Sequence, residues 1–372
     1  MGVRGLLSMM LCCIGISLAW APAAQAADPF FGVFGSNMST PQVAAGMSAH
    51  AATGVGTVRE HLHWDRIERA PGVFDWRDSD ALFSAAAARG MTVLPVLVDT
   101  PQFYSTRPEG VTTGGWPPRD PVYIKRFATA LARRYGKRGT YWGCLLPGLL
   151  CRRPYTPITA WQVWNEPDIL AWWRTGVDAG AYTQLLRQAY EGLKAGDSSA
   201  EVVLAGLTVR VVERGGYLDQ LYDRGAAAYF DTLAVHPYAG SAGGVVYHLR
   251  TIRAIATQRG DAGVPIRVTE YGYATGGTQT WVTTPPCQAA LISATTRELS
   301  ARRGELGLRS IVQFSWQDRS TNPAVSWPNH AGMLWVDGTA KPALAAFTDA
   351  VRNRPPGPGL VVTAVCPERH WG

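Results

Sequence analysis

The chain has 372 residues, 47% of them apolar and 17% charged, with a formal net charge of +7. That balance belongs to an ordinary globular protein and excludes a disordered or fibrous chain. The basic residues are scattered as pairs, Arg133 with Arg134, Arg152 with Arg153 and Arg302 with Arg303, so solvated helix faces account for most of them; a basic exterior favours an acidic polymer without identifying one, and no nucleic-acid partner is expected.

In chain order, residues 1–26 read as a secretory signal: Arg4 precedes an apolar run from Leu6 to Trp20, and Ala24-Gln25-Ala26 offers a small-x-small cleavage site. A secreted or periplasmic protein starting near Ala27 is expected, with no stable membrane insertion. Short β-branched or apolar runs then recur at 30–35, 57–64, 91–98, 158–165, 202–208, 232–237, 266–271 and 311–316. Helical spacing of apolar residues lies between them at 78–89, 122–135, 179–195, 245–258 and 286–303. Eight βα units with right-handed crossovers predict an α/β fold, a (β/α)8 TIM barrel in one domain over 27–354.

Two stretches break the rhythm. Residues 100–119, rich in Pro and Gly, follow the third strand on the side where barrel sites are built, and 137–157 carries a Cys pair. Both read as loop insertions. Residues 355–372 read as an extended C-terminal tail packed on the barrel as a strap. Four cysteines remain after the signal, Cys144, Cys151, Cys287 and Cys366; an even number in an exported chain points to two disulfides rather than a metal site. Three pairings are possible. Cys144 with Cys151 would staple the local insertion, leaving Cys287 to tie down Cys366.

Chemistry enters with WQVWNEP at 161–167, which sets Asn165 and Glu166 where the fourth strand meets a Pro-marked loop. Glu270 ends the seventh strand in IRVTEYGY. Either Glu alone reads first as a strand-end residue that caps the next helix. In a barrel, however, the fourth and seventh strands face each other across one mouth, and glycoside hydrolysis needs two carboxyl groups flanking the scissile bond. His61 and His63 alternate along the second strand and point to one side; lacking a third ligand, they read as hydrogen-bonding groups rather than a metal site.

With these residues, the chain resembles the clan of retaining barrel glycoside hydrolases, and most of all its family 39, which includes β-xylosidases and exopolysaccharide-degrading enzymes. The resemblance runs over nearly all the mature chain: WNEP followed by DILAWW, the Glu ending the seventh strand, VREHLHW at 58–64, GVFDW at 72–76, LAVHPY at 233–238 and FSW at 314–316. It implies Glu166 as acid/base and Glu270 as nucleophile, with Asn165 on the sugar 2-hydroxyl. It further implies Arg59 beside the nucleophile, His236 and Tyr238 as hydrogen-bonding groups, and Trp316 as an aromatic floor. No metal or cofactor is implied.

Six further tryptophans outside the strand cores, Trp64, Trp116, Trp172, Trp173, Trp281 and Trp327, are cleft candidates, about half being expected to line it, with Trp172 and Trp173 foremost. The implied activity is hydrolysis of β-glycosidic bonds in a polysaccharide or oligosaccharide by a monomer. The same residues would serve a transglycosylase, and an inactive carbohydrate-binding barrel is the non-enzymatic alternative. An open groove between 100–119 and Trp172-Trp173 would mean endo action, and a closed one exo action.

Overall fold

A computed structural model describes residues 27–35, 43–209, 215–279, 282–353 and 366. The expected signal at 1–26 and, apart from Cys366, the expected tail at 355–372 lie outside the described residues. Thirteen strands appear among them: β1 (Asp28–Phe34), β2 (Val55–His63), β3 (Glu68–Ala70), β4 (Val73–Phe74), β5 (Thr92–Val98), β6 (Cys144–Leu146), β7 (Leu149–Cys151), β8 (Ala160–Val163), β9 (Glu201–Val203), β10 (Leu207–Thr208), β11 (Leu233–His236), β12 (Ile266–Tyr271) and β13 (Leu308–Gln313). The α-helices are α1 (Val43–Ala52), α2 (Trp64–Ile67), α3 (Arg77–Ala87), α4 (Val122–Tyr135), α5 (Ala179–Gly196), α6 (Tyr217–Asp223), α7 (Ala242–Gln258), α8 (Pro285–Ala301) and α9 (Pro342–Arg352).

Nine strands form one parallel sheet in the order β10-β11-β12-β13-β1-β2-β5-β8-β9, and its two ends, β9 and β10, are pieces of one chain crossing. A parallel bridge from Val203 to Thr232 links β9 to the start of the β11 strand. This is a curled, TIM-like α/β architecture. Small and apolar side chains (Leu94, Ala160, Val203, Ala234) meet as a separate cluster drawn from β5, β8, β9 and β11. The main core forms where helices bury their apolar stripes on the sheet. In α4 the buried positions are Ile124, Phe127, Ala128, Leu131, Ala132 and Tyr135, a 3.6-residue period. Local chemistry sets the helix starts: Asp178 accepts from the amides of Gly180 and Ala181 ahead of α5, and Thr284 accepts from Cys287 ahead of α8, which opens on Pro285.

The sequence reading meets the structure to within two residues at each end of β1, β2, β5, β8, β11, β12, α3, α4, α5 and α8, and departs most at the fifth and eighth expected strands. The expected fifth strand, 202–208, is broken at 204–206. The eighth was expected at 311–316 but is β13, ending at Gln313; beyond it Phe314 still donates to Tyr271 at the end of β12 and Trp316 to Phe34 at the end of β1, while Ser315 between them donates to Ala331 in a loop and interrupts the ladder. Helices α1, α6 and α9 were not anticipated. Cys144 pairs with Cys151 and Cys287 with Cys366, as favoured. No described helix is long and apolar enough to cross a membrane.

Candidate active site

β2 carries Arg59 into the interior of the curl, fully buried, and each of its three guanidinium nitrogens meets an acceptor from β8, the turn after it, or β12. Nε donates to Gln162 Oε1 at 2.8 Å, Nη1 to Glu270 Oε1 at 2.6 Å and Nη2 to Asn165 Oδ1 at 2.7 Å. A lysine could not meet these three acceptors in one plane. One guanidinium therefore registers the end of β8 against the end of β12. Gln162, which sequence reasoning missed, is held in turn by Leu204 O and Thr269 Oγ1, each at 3.3 Å.

The loop after β8 turns sharply. Trp164 has φ 72° and Glu166 φ 40°, left-handed conformations that non-glycine residues adopt only when their surroundings hold them there. The Glu166 amide is anchored on Gly206 O at 3.0 Å, and a bridge joins Asn165 to Gly206. Gly206 has a second duty. A Cβ there would run into the imidazole of His236, so the gap between β9 and β10 is where the His236 ring is accommodated.

That ring sits between the two carboxylates, with Nδ1 at 2.7 Å from Glu166 Oε1 and 3.7 Å from Glu270 Oε2. Tyr238 OH donates to Glu270 Oε2 at 2.7 Å. Glu166, His236 and Glu270 each offer an atom within 4.8 Å of the others. Tyr271 points elsewhere, its hydroxyl 2.7 Å from Thr296 Oγ1 under α8.

The surroundings drive the two acids apart. Burial raises the Glu166 pKa above the ordinary carboxylate value; His236 opposes this, and the charges of Glu270 and Asp168 add to it. Burial also pushes Glu270 up, but His236, the Arg59 charge, and hydrogen bonds from Tyr238 and Arg59 outweigh it, and Glu270 ends below its ordinary value. His61 is held well below its ordinary pKa by burial and then by Arg59, so it faces the site as a neutral ring.

Around this centre, Phe34 packs 5.2 Å from His61, and Trp172 stands 5.3 Å from it on the other wall. Trp327 lies 4.8 Å from Tyr238. Arg319 reaches the same wall, its Cζ 5.7 Å from the Phe34 ring and 5.6 Å from Phe314. The long loop after β5 is fastened across the top: Asp99 Oδ2 lies 2.7 Å from His63 Nδ1, Asp99 Oδ1 accepts from Gly115 N, and Arg174 donates to Gly114 O at 2.7 Å and Gly115 O at 3.0 Å.

Trp173 does not join the site. Its ring is 2% exposed and packs between Trp164 at 5.7 Å and Tyr182 at 6.0 Å, because the turn after Glu166 sends consecutive tryptophans to opposite sides. Trp64 is likewise core, stacked 5.2 Å from Phe127. Trp316 lies past the end of β13 and is 7% exposed, its ring meeting His50 at 4.4 Å. Trp116 is half-buried in the long loop, and Trp281 lies outside the described residues.

No protein-family model matches the chain, and no curated protein does. Solved structures do. A family 39 glycoside hydrolase from Bacteroides cellulosilyticus WH2 superposes with a TM-score of 0.66 at 18% identity, over 87% of this chain and 64% of that one. A monomeric β-xylosidase from Caulobacter crescentus CB15 gives 0.60 at 20% identity, over 87% and 68%. A GH5_18 protein from Streptomyces cattleya, solved with GlcNAc, gives 0.62 at 18% identity, over 90% and 83%. The chain thus has the fold of these proteins and spans a little under two thirds of the first one's length.

Proposed function

We propose that this protein is a retaining β-glycosidase in which Glu270 is the nucleophile and Glu166 the acid/base. The observation that carries the reading is the carboxylate spacing: oxygens of Glu166 and Glu270 lie within 4.8 Å of each other. Retaining enzymes hold their carboxyl groups about 5 to 5.5 Å apart, whereas inverting enzymes leave roughly 6.5 to 9.5 Å for a water. The opposed pKa shifts support this division of roles, since the attacking group must be ionised and the acid protonated at the start.

In the first step a Glu270 oxygen bonds to the anomeric carbon while the glycosidic C–O bond breaks, and the leaving oxygen takes the Glu166 proton. In the second, Glu166 removes a proton from water, whose oxygen displaces Glu270 from that carbon. Asn165, already oriented by Arg59, is the group for the sugar 2-hydroxyl, and Trp316 is the platform beneath the ring. No step calls for a metal or cofactor. We further read the sheet as a closed (β/α)8 barrel forming one domain over 27–354, and the protein as a secreted or periplasmic monomer.

The substrate is read as an oligosaccharide or polysaccharide, attacked from its end. Support for exo action comes from the bonds of Arg174 to Gly114 and Gly115, which join the long loop to the Trp172 segment and close that side of the cleft. A glycan panel followed by NMR tests both points. The first-formed sugar should keep the β configuration, and products should be short from the outset. An α-configured first product would overturn the double displacement, and early mid-length fragments the exo assignment.

A further inference from the structure

The insertion between α4 and β8 carries a feature that the catalytic reading leaves unused. β6 and β7 form a hairpin closed by the Cys144–Cys151 disulfide, with Leu146 opposite Leu149 and a Pro147-Gly148 turn at its tip. Its leucines face water: Leu145 is 74% exposed, Leu146 59%, Leu149 51% and Leu150 72%. Leu145 and Leu150 are the two most exposed large apolar side chains among the described residues.

The hairpin is anchored at its base and side: Cys144 packs against the main core, Arg152 N donates to Gly143 O at 3.3 Å, and Tyr155 lies alongside Gly148 and donates its hydroxyl to Lys137 O at 2.7 Å. Side chains alternate across a strand, so Leu145 and Leu146 point to opposite faces of β6, with Leu149 opposite Leu146. A docked protein or a second copy would cover one face. Two apolar faces suit a medium that surrounds the tip on all sides.

Charge points the same way. From residue 121 to 165 the sequence has eight Lys or Arg and no Asp or Glu. Four of these, Lys137, Arg138, Arg152 and Arg153, are exposed at the hairpin base, and none is within ion-pair distance of a carboxylate among the described residues. An apolar tip ringed by cations without a carboxylate partner matches the boundary of an anionic bilayer, where each signal alone is weak and the two together hold. Three-residue strands reach about 10 Å, enough to enter the headgroup and upper acyl region and too short to span it.

We propose that the 144–151 hairpin is a lipid-insertion tip that seats the protein on an anionic membrane surface. It leaves the sheet just before β8 begins, whereas Glu166 follows the other end of that strand, so the cleft faces away from the lipid towards polymer in solution.

The test is flotation of the full chain with vesicles of phosphatidylcholine, with and without phosphatidylglycerol, against the double variant Leu145→Ser/Leu150→Ser. The apolar run at 6–20 is common to both proteins, so their difference reads the hairpin alone. The wild type should partition onto the phosphatidylglycerol vesicles, more weakly as salt rises, and the variant at least about tenfold less. Arg138→Gln/Arg152→Gln should lose binding to the anionic vesicles only. Unchanged melting of each variant shows that the fold is intact. Equal partitioning of wild type and leucine variant, or no partitioning of the wild type, overturns the proposal. So does a wild-type dimer in light scattering that the leucine substitutions dissolve, since a second copy would then be the occupant.

Discussion

Glu166 and Glu270 are the same side chain at the ends of two strands of one sheet, Glu270 buried and Glu166 partly so, yet their surroundings differ in kind. Glu270 accepts from Arg59 and Tyr238 and lies near His236, a set of partners that favours its anion. Glu166 has the His236 ring alone, with the Glu270 charge nearby and its backbone in the left-handed region. Burial pushes both acids towards the neutral form, and only Glu270 has enough donors to reverse it. The two roles are therefore set by what neighbouring strands bring to each end, and the strands themselves are interchangeable in this respect.

The largest expected effects come from erasing either member. Glu270→Ala removes the attacking oxygen and should lower kcat by at least about 10⁴-fold on every substrate. Glu166→Gln keeps shape and removes the proton, so its loss should follow the leaving group: about 10² to 10⁴-fold for poor leaving groups and far less for an activated aryl glycoside. A uniform loss across leaving groups would contradict the division of labour, as would near wild-type turnover in either variant.

Changing only the surroundings should have a smaller effect. Arg59→Lys keeps the charge and gives up the fork that ties Glu270, Asn165 and Gln162 together, and should cost about 10 to 100-fold in kcat. The pH profile sharpens the same point. Under the proposed double displacement activity requires Glu270 ionised, so its depressed pKa sets the acid limb. It requires Glu166 protonated, so its raised pKa sets the alkaline limb. The wild type should give a bell whose acid limb lies below the ordinary glutamic acid value and whose alkaline limb lies above it. In Arg59→Lys, Glu270 is less well held and the acid limb should move up while the alkaline limb stays. An alkaline limb moving alone would reverse the assignment of the two acids.

Much of this was legible in the sequence. The periods of β5, β12, α4 and α5 encode which face is buried, and burial is what builds those elements. The residues around the two acids, Arg59, Asn165, His236 and Tyr238, were legible too, because short motifs carry them. Partners were not: Gln162 meets Arg59 across 103 positions, and nothing near either residue announces the other. Gly206 reads as a weak point in a strand until the His236 ring is seen to need its missing side chain. Trp172 and Trp173 are adjacent in a stretch with no helical or strand period, so which of them turns outward is decided by the turn at Glu166. The missed α1 is half Ala, and only Val43, Met47 and His50 mark its buried stripe.

The finest cut through the comparison separates two tyrosines. Tyr238 and Tyr271 both flank Glu270, one across from it on the chain after β11 and one next to it in sequence, and both are buried. Only Tyr238 donates to Glu270; its own pKa is raised well above the ordinary value, first by burial and then by the Glu270 charge, so it stays protonated as a donor. Tyr238→Phe deletes one hydrogen bond to a charged group, worth about 1.5 to 3 kcal/mol, of which the bonds from Arg59 recover part. Roughly a tenfold loss in kcat/KM is expected, with a small upward shift of the acid limb. Tyr271→Phe deletes a bond to Thr296 under α8 and should lower Tm while leaving the acid limb where it was. If Tyr271→Phe moved the acid limb and Tyr238→Phe did not, the donor set around Glu270 would be wrong, and with it the reason that the two glutamates differ.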